Sequence, residues 1–294
     1  NTLGRRLFIR VPLPAAMMTT SIAVMTPPVR FLPARAGTVA RIIGWLMFTL
    51  VLASCSTIKI AYNNAASVGY WWLDGYVDFN EAQTLQLRAD LARLHAWHRA
   101  TELPQYIELL QQMEQLAPAD IGPEQVCAIA QEMRRHLGTL MAQIEPAAAA
   151  LAMTLTTAQL QGLERKYTKT DARYRKEWLS ATPAKQLEKR YKQWLERTEM
   201  IYGRLDGAQK DRLRTQVARS GFDARISYEE RLRRQQDALQ TLRQITQARL
   251  PEGEARDLVH GYLERTLDSP NPAYRAYQQA LLQEDCRSVA LTHN

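Results

Sequence analysis

Four side chains stand close enough along the chain to suggest chemistry: Asp74, Asp78, His95 and His98. Carboxylates four residues apart share a helix face, where they could divide acid and base roles or hold a cation. The same spacing also suits capping and hydrogen bonding at a helix end, here beside Tyr76. Imidazoles at i and i+3 also face one way. A metal would need a third ligand, and neither HExxH nor C-x-x-C is present to supply it. No G-x-S-x-G elbow offers a nucleophile. No catalytic, cofactor-binding or metal-binding residue is therefore assigned, and no cofactor is expected. An envelope enzyme built on these four residues remains a separate reading, favoured if they meet in one buried cleft.

Sulfur carries a clearer signal. The chain has 3 cysteines. Before Cys55 come Arg30, Arg35 and Arg41, then the uncharged apolar run from Ile42 to Val51, then Leu52-Ala53-Ser54. A positive region, an apolar region and small residues are the layout of a secretory signal. The twelve residues from Ile42 to Ala53 fall short of the ~20 that span a bilayer. Leu52-Ala53-Ser54-Cys55 resembles a bacterial lipobox, which implies lipidation at Cys55 after cleavage before it. Two or three acyl chains, at about 0.8 kcal/mol per buried CH₂, would hold the protein to a membrane. Ser56, rather than Asp, resembles the sorting signal for the outer membrane. Asn1 is not a start residue, so residues 1–24 read as an extension ahead of the leader. Cys127 and Cys286 remain, an even number that suggests a disulfide in an oxidising compartment. Two unpaired buried thiols are the alternative. A bridge over 159 positions corresponds to roughly 4–5 kcal/mol of loop entropy.

The elements that must position these residues are helices. Leu87, Leu91, Leu94 and His98 repeat with helical period. So do Tyr191, Trp194, Leu195, Thr198, Ile201, Tyr202 and Leu205; Leu232, Leu239, Leu242 and Ile245; and Ala255, Leu258, Val259, Tyr262 and Leu263. No run alternates with period two, so strands find little support. Pro104, Pro118, Pro123, Pro146, Pro183, Pro251, Pro270 and Pro272 mark the expected breaks, with Gly207 and Gly221. Three helix starts share one grammar: Phe79-Asn80-x-x-Gln83, Leu155-Thr156-x-x-Gln159 and Leu205-Asp206-x-x-Gln209. Each reads as a capping box with an apolar residue before it. Leu155 to Gln159 also matches the LTxxQ string of small periplasmic stress chaperones, which are much shorter chains. The expectation is an all-α antiparallel bundle: residues 1–54 extension and signal peptide, 55–294 one helical domain.

Charge divides the chain. The net charge is +8, yet residues 1–54 hold six arginines and no acid. The remainder is nearly balanced, so the basic character belongs largely to the leader and nucleic acid is not an expected partner. Leu163–Arg204 is the local exception, with twelve basic and six acidic residues among Tyr167, Tyr174, Trp178, Tyr191, Trp194 and Tyr202. It reads either as amphipathic helices with aromatic cores or as a face for anionic lipid headgroups or an envelope polymer. Six aromatics crowd Tyr62–Phe79; they either pack a first helix or set Trp71 and Trp72 at the membrane surface.

Tyr62-Asn63, then Trp72-Leu73-Asp74-Gly75-Tyr76-Val77-Asp78, then Trp97, Arg99 and Leu103-Pro104-Gln105-Tyr106 resemble a family of uncharacterised proteobacterial lipoproteins. The late run Ser269-Pro270-Asn271-Pro272-Ala273-Tyr274-Arg275-Ala276-Tyr277 fits as well. The resemblance implies a helical lipoprotein and brings no activity. The expectation is thus a lipid-anchored protein on the periplasmic face of the outer membrane. It would be no enzyme and would act by binding or scaffolding, with an envelope protein or anionic polymer as partner. A chaperone-like holdase is the alternative.

Overall fold

The computed structural model describes residues 59–248 and 250–293; the expectations for the leader and for Cys55 lie outside them. Among the described residues the chain is all-α, without strands. Ten α-helices follow in order: α1 Ala65–Val77, α2 Glu81–Trp97, α3 Leu103–Leu116, α4 Pro123–Thr154, α5 Thr157–Tyr174, α6 Pro183–Tyr202, α7 Gly207–Arg219, α8 Ala224–Ala248, α9 Glu252–Leu267 and α10 Pro272–His293. The 32-residue α4 is the axis. Helices α2, α8, α9 and α10 pack on it, α1 bridges α2 and α5, and α6 pairs with α7. Ala149 and Ala152 of α4 meet Ile245 of α8 and Ala255 and Val259 of α9 in one buried cluster. Tyr191 and Trp194 of α6 meet Leu205, Leu213 and Val217 in another.

All three capping boxes form. The Asn80, Thr156 and Asp206 side chains accept from the amides of Gln83, Gln159 and Gln209, and each Gln bonds back to the cap amide. Gln125 supplies the return half at Gly122, with 2.8 Å from the Gly122 N–H to its Oε1. Two of the boxes also interlock. Gln159 Nε2 donates to Gln83 Oε1 at 2.7 Å, and Gln83 Nε2 donates to the Thr154 carbonyl at 2.9 Å. The LTxxQ string therefore works here as a joint between the starts of α2 and α5.

Three expectations need correction. Pro146 does not break a helix; α4 runs through it. Its ring removes one backbone hydrogen bond, but the preceding Glu145 is clamped by Arg256 (2.6 Å) and His260 (2.7 Å) of α9. The four alanines that follow favour the helix. Tertiary contacts override the local penalty. Pro104 likewise lies inside a continuing helix. Between α2 and α3 the chain takes a π turn, His98–Glu102, in which the Leu103 N–H reaches the His98 carbonyl. Such a bulge absorbs the donor that a proline cannot supply. Finally, Ile201 leaves the apolar stripe of α6 and is 68% exposed. Gly203, at φ 76°, ends that helix, because only glycine adopts this backbone without strain.

Candidate functional site

A cavity of about 680 Å³ opens between α6, α8 and α10, closed at its sides by α4 and the Phe222 loop. That volume lies within the ~300–1,000 Å³ of small-molecule sites. Six arginines line it: Arg134, Arg190, Arg197, Arg231, Arg234 and Arg275. The lining carboxylates are Glu230, Asp268 and Asp285.

The floor is a fixed ionic network on α8. Arg234 Nε donates to Glu230 Oε1 at 2.8 Å, Arg233 Nη2 reaches the same oxygen at 2.9 Å, and the Ser269 hydroxyl donates to Oε2 at 3.0 Å. Burial alone would raise the Glu230 carboxyl; hydrogen bonds from Arg233 and Arg234 outweigh it and hold the group below its ordinary value. Arg231 Nε donates to Asp171 Oδ1 at 2.6 Å, an oxygen shared with Gln235 at 2.9 Å. Buried ions cost several kcal/mol each unless well bonded, and here each carboxylate takes two or more donors. The charged floor is thus held in one geometry.

The mouth differs. Arg134 and Arg275 are exposed there. Arg275 Nη1 donates to the Ser269 carbonyl at 2.6 Å, a neutral partner. Arg134 Nη2 donates to the Leu267 carbonyl at 2.8 Å and stands 3.8 Å from Asp268. Trp194, Tyr274 and Leu281 are buried in the walls. Convergent guanidiniums over an apolar wall form an anion-binding arrangement: the planar fork matches carboxylate and phosphate oxygens.

The matching family profile spans residues 75–260. The chain belongs to a family of unknown function, DUF6279. No curated protein and no solved structure matches it. The DUF6279 region contains the α6 and α8 walls of the cavity, whereas the α10 wall, with Arg275, lies beyond it.

The four residues that suggested chemistry do not meet. Asp74 and Asp78 stay at the end of α1. Asp74 Oδ1 accepts from the Phe79 amide at 3.0 Å, and Asp78 takes the left-handed cap at φ 59°. They border a shallow hollow with Arg165, Lys166 and Lys169 of α5. Their work there is capping.

His95 and His98 join a different set. Tyr62 Oη lies 2.9 Å from His98 Nδ1, and the Tyr62 ring is 4.9 Å from that of His95. Tyr106 stacks between His98 (5.7 Å) and His136 (4.8 Å). His136 Nδ1 ends the row 2.8 Å from Glu102 Oε2, with both side chains buried. Desolvation lowers the His98 pKa. His95 Nε2 and Trp72 Nε1 are buried without a hydrogen-bond partner among the described residues. No group of three or more ligands fit to hold a metal occurs among the described residues. The row ties α2, α3 and α4 together around the π turn.

Sequence reasoning missed Glu102, His136 and the α8 arginines. The run Glu230-Arg231-Leu232-Arg233-Arg234 was the available signal for the last of these. In the basic aromatic stretch Trp178, Tyr191 and Trp194 are buried, while Arg190 and Arg197 line the cavity. The aromatic run Tyr62–Phe79 is of mixed exposure. Tyr70 is buried, Trp72 is half-buried against Tyr76 at 5.1 Å between rings, and Trp71 is 65% exposed.

Cys127 of α4 and Cys286 of α10 are joined as a disulfide, with Cα atoms 5.4 Å apart.

Proposed function

We propose that this chain is a lipid-anchored protein of the bacterial envelope that works by binding rather than by catalysis. The arginine-lined cavity carries the binding reading. At its mouth Arg134 and Arg275 bond backbone carbonyls, which aims two exposed guanidiniums at an incoming anion. The anchor reading rests on the order Leu52-Ala53-Ser54-Cys55 after an apolar stretch. Two features of the folded chain agree with it. A disulfide persists in oxidising compartments, such as the periplasm. Near the start of the described residues Ile60, Val68 and Trp71 are exposed, apolar side chains that would rest on a lipid surface. The outer membrane, periplasmic side, is the destination that Ser56 suggests.

The test is mass spectrometry of the native protein purified from bacterial membranes. The mature N-terminus should be an acylated Cys55, and Cys55→Ser should move the protein out of the membrane fraction. An uncleaved leader or an unmodified Cys55 would remove the anchor. Under native conditions the same preparation should carry a small molecule released on denaturation; its absence would count against the binding role.

A further inference from the structure

We infer that the outer face of the α1–α2 hairpin docks on a bilayer surface that carries anionic phospholipid. This deepens the anchor reading above and is independent of the cavity. The first observation is what α1 shows to water. No Asp, Glu, Lys or Arg stands between Ile60 and Leu73, although the outward side of a surface helix ordinarily carries charge. Ile60, Val68 and Trp71 are exposed there. Val68 and Trp71, three apart in α1, share one face. The second observation is that Trp71 is held outward. Tyr70 beside it is buried, with its hydroxyl 3.1 Å from Thr84 Oγ1 of α2, and the two rings meet edge to face at 5.5 Å. Arg88 Cζ lies 3.8 Å from the centre of the Tyr70 ring and 5.6 Å from that of Trp71. Exposed Leu85 stands one turn before Arg88 on α2. An indole with an apolar body and a polar edge is favoured at the level of lipid headgroups.

The third observation is charge. Arg88 and Arg99 are exposed, and neither has a salt bridge among the described residues. Tyr62 bonds His98, which brings Arg99, the next residue, to the end of the hairpin where exposed Lys59 stands. That end leads to Cys55. The acids Asp74, Asp78 and Glu81 lie at the opposite end, around the turn between α1 and α2. The five residues from Cys55 to Ile60 span at most about 18 Å, so an acylated Cys55 keeps the basic end close to the headgroups. A second copy of the chain on this face would set arginines against the same arginines, because a twofold interface pairs a patch with itself. Anionic headgroups complement them.

The experiment uses the protein purified from bacterial membranes and reconstituted into vesicles of phosphatidylcholine, alone or about 3:1 with phosphatidylglycerol. The lipids carry bromine near the headgroup end of their acyl chains, which quenches only tryptophan rings at the interface. Quenching is expected to be at least twofold greater in the anionic vesicles, to fall with added salt, and to be at least halved by Trp71→Phe. Arg88→Gln and Arg99→Gln should each remove about half of the anionic excess. Melting curves accompany the variants; Arg88 also covers the Tyr70 ring, so Arg99→Gln decides if Arg88→Gln fails to fold. Equal quenching of wild type and Trp71→Phe, equal quenching in the two kinds of vesicle, or an anionic excess unchanged in the arginine variants would overturn the assignment. A dimer in detergent that Trp71→Asp dissociates, with no quenching in vesicles, would give the face to a second copy and overturn it too. The mass of the N-terminus reads the anchor separately. An acylated Cys55 with an unquenched Trp71 removes the docking alone, and a quenched Trp71 with an unmodified Cys55 removes the anchor alone.

Discussion

At the residue scale, Glu145 shows how a polar group can be placed in the middle of a helix. It precedes a proline, sits 7% exposed, and carries no local capping role. Its two partners come from α9. The hydrogen bond from Arg256 is the main cause that holds its carboxyl below the ordinary 4.5, and His260 adds to it. In return the Glu145 contact raises His260 above its ordinary 6.5, with help from Glu264. The signs give a stability window. A lowered carboxyl contributes stability above 4.5 that is lost as pH falls through its folded value. A raised imidazole contributes stability below 6.5 that is lost as pH rises through its folded value. The trio is fully charged between the two. His260→Gln should therefore lower the thermal midpoint at pH 5.5 and change it little at pH 8.5. His98 works the other way, because desolvation lowers it and its charged form weakens the fold at acid pH. Comparing variant with wild type at each pH cancels that contribution. A midpoint difference independent of pH would show that His260 acts by packing alone.

At the element scale, the helix starts repeat one chemical solution and then use it twice. Each cap side chain satisfies an amide at the helix start, and each Gln satisfies the cap's own amide. Asn80→Ala or Thr156→Ala should cost about 1 kcal/mol. Gln83 and Gln159 also bond each other, which couples α2 to α5. The double variant Gln83→Ala/Gln159→Ala should thus fall short of the sum of the singles, by about 0.5–3 kcal/mol in a double-mutant cycle. Strict additivity in chemical denaturation would mean that each box serves its own helix only. These boxes were legible because a cap is local: residue types within four positions determine it. The helical class was legible for the same reason, through the apolar period. What escaped was long-range. Pro146 stays helical because of Arg256 and His260, more than a hundred residues away. His95 and His98 were nominated correctly as neighbours, but Tyr62, Tyr106 and His136 reach them only through tertiary packing. Arg190 and Arg275 read as one solvated face and one motif tail until α6 and α10 bring them to the same cavity.

At the scale of the whole molecule, one covalent bond sets how much of the bundle holds together. Cys127 sits in the second turn of α4, the axis of the fold, and Cys286 sits past the middle of α10. Both are buried, and their Cα separation of 5.4 Å lies inside the ~4.4–6.8 Å that a disulfide spans. The bridge encloses α5 to α9 in a loop of 159 positions. Helix α10 has further ties, since Arg275 bonds the Ser269 carbonyl and Tyr277 Oη accepts from the Asp223 amide at 2.7 Å. Those bonds position the wall of the cavity but close no long loop. Restricting the unfolded chain over such a loop stabilises by up to about 5 kcal/mol, and removal of native bridges costs about 2–5 kcal/mol. Cys286→Ala should accordingly lower the thermal midpoint in oxidising buffer by several degrees, with wild type falling to meet it once reductant is added. Because α10 carries Arg275, the same reduction should weaken any ligand held in the cavity before the bundle as a whole unfolds. A variant whose midpoint matches wild type in both buffers would mean that the two sulfurs act as small apolar packing groups, and that the seam between α4 and α10 holds without them.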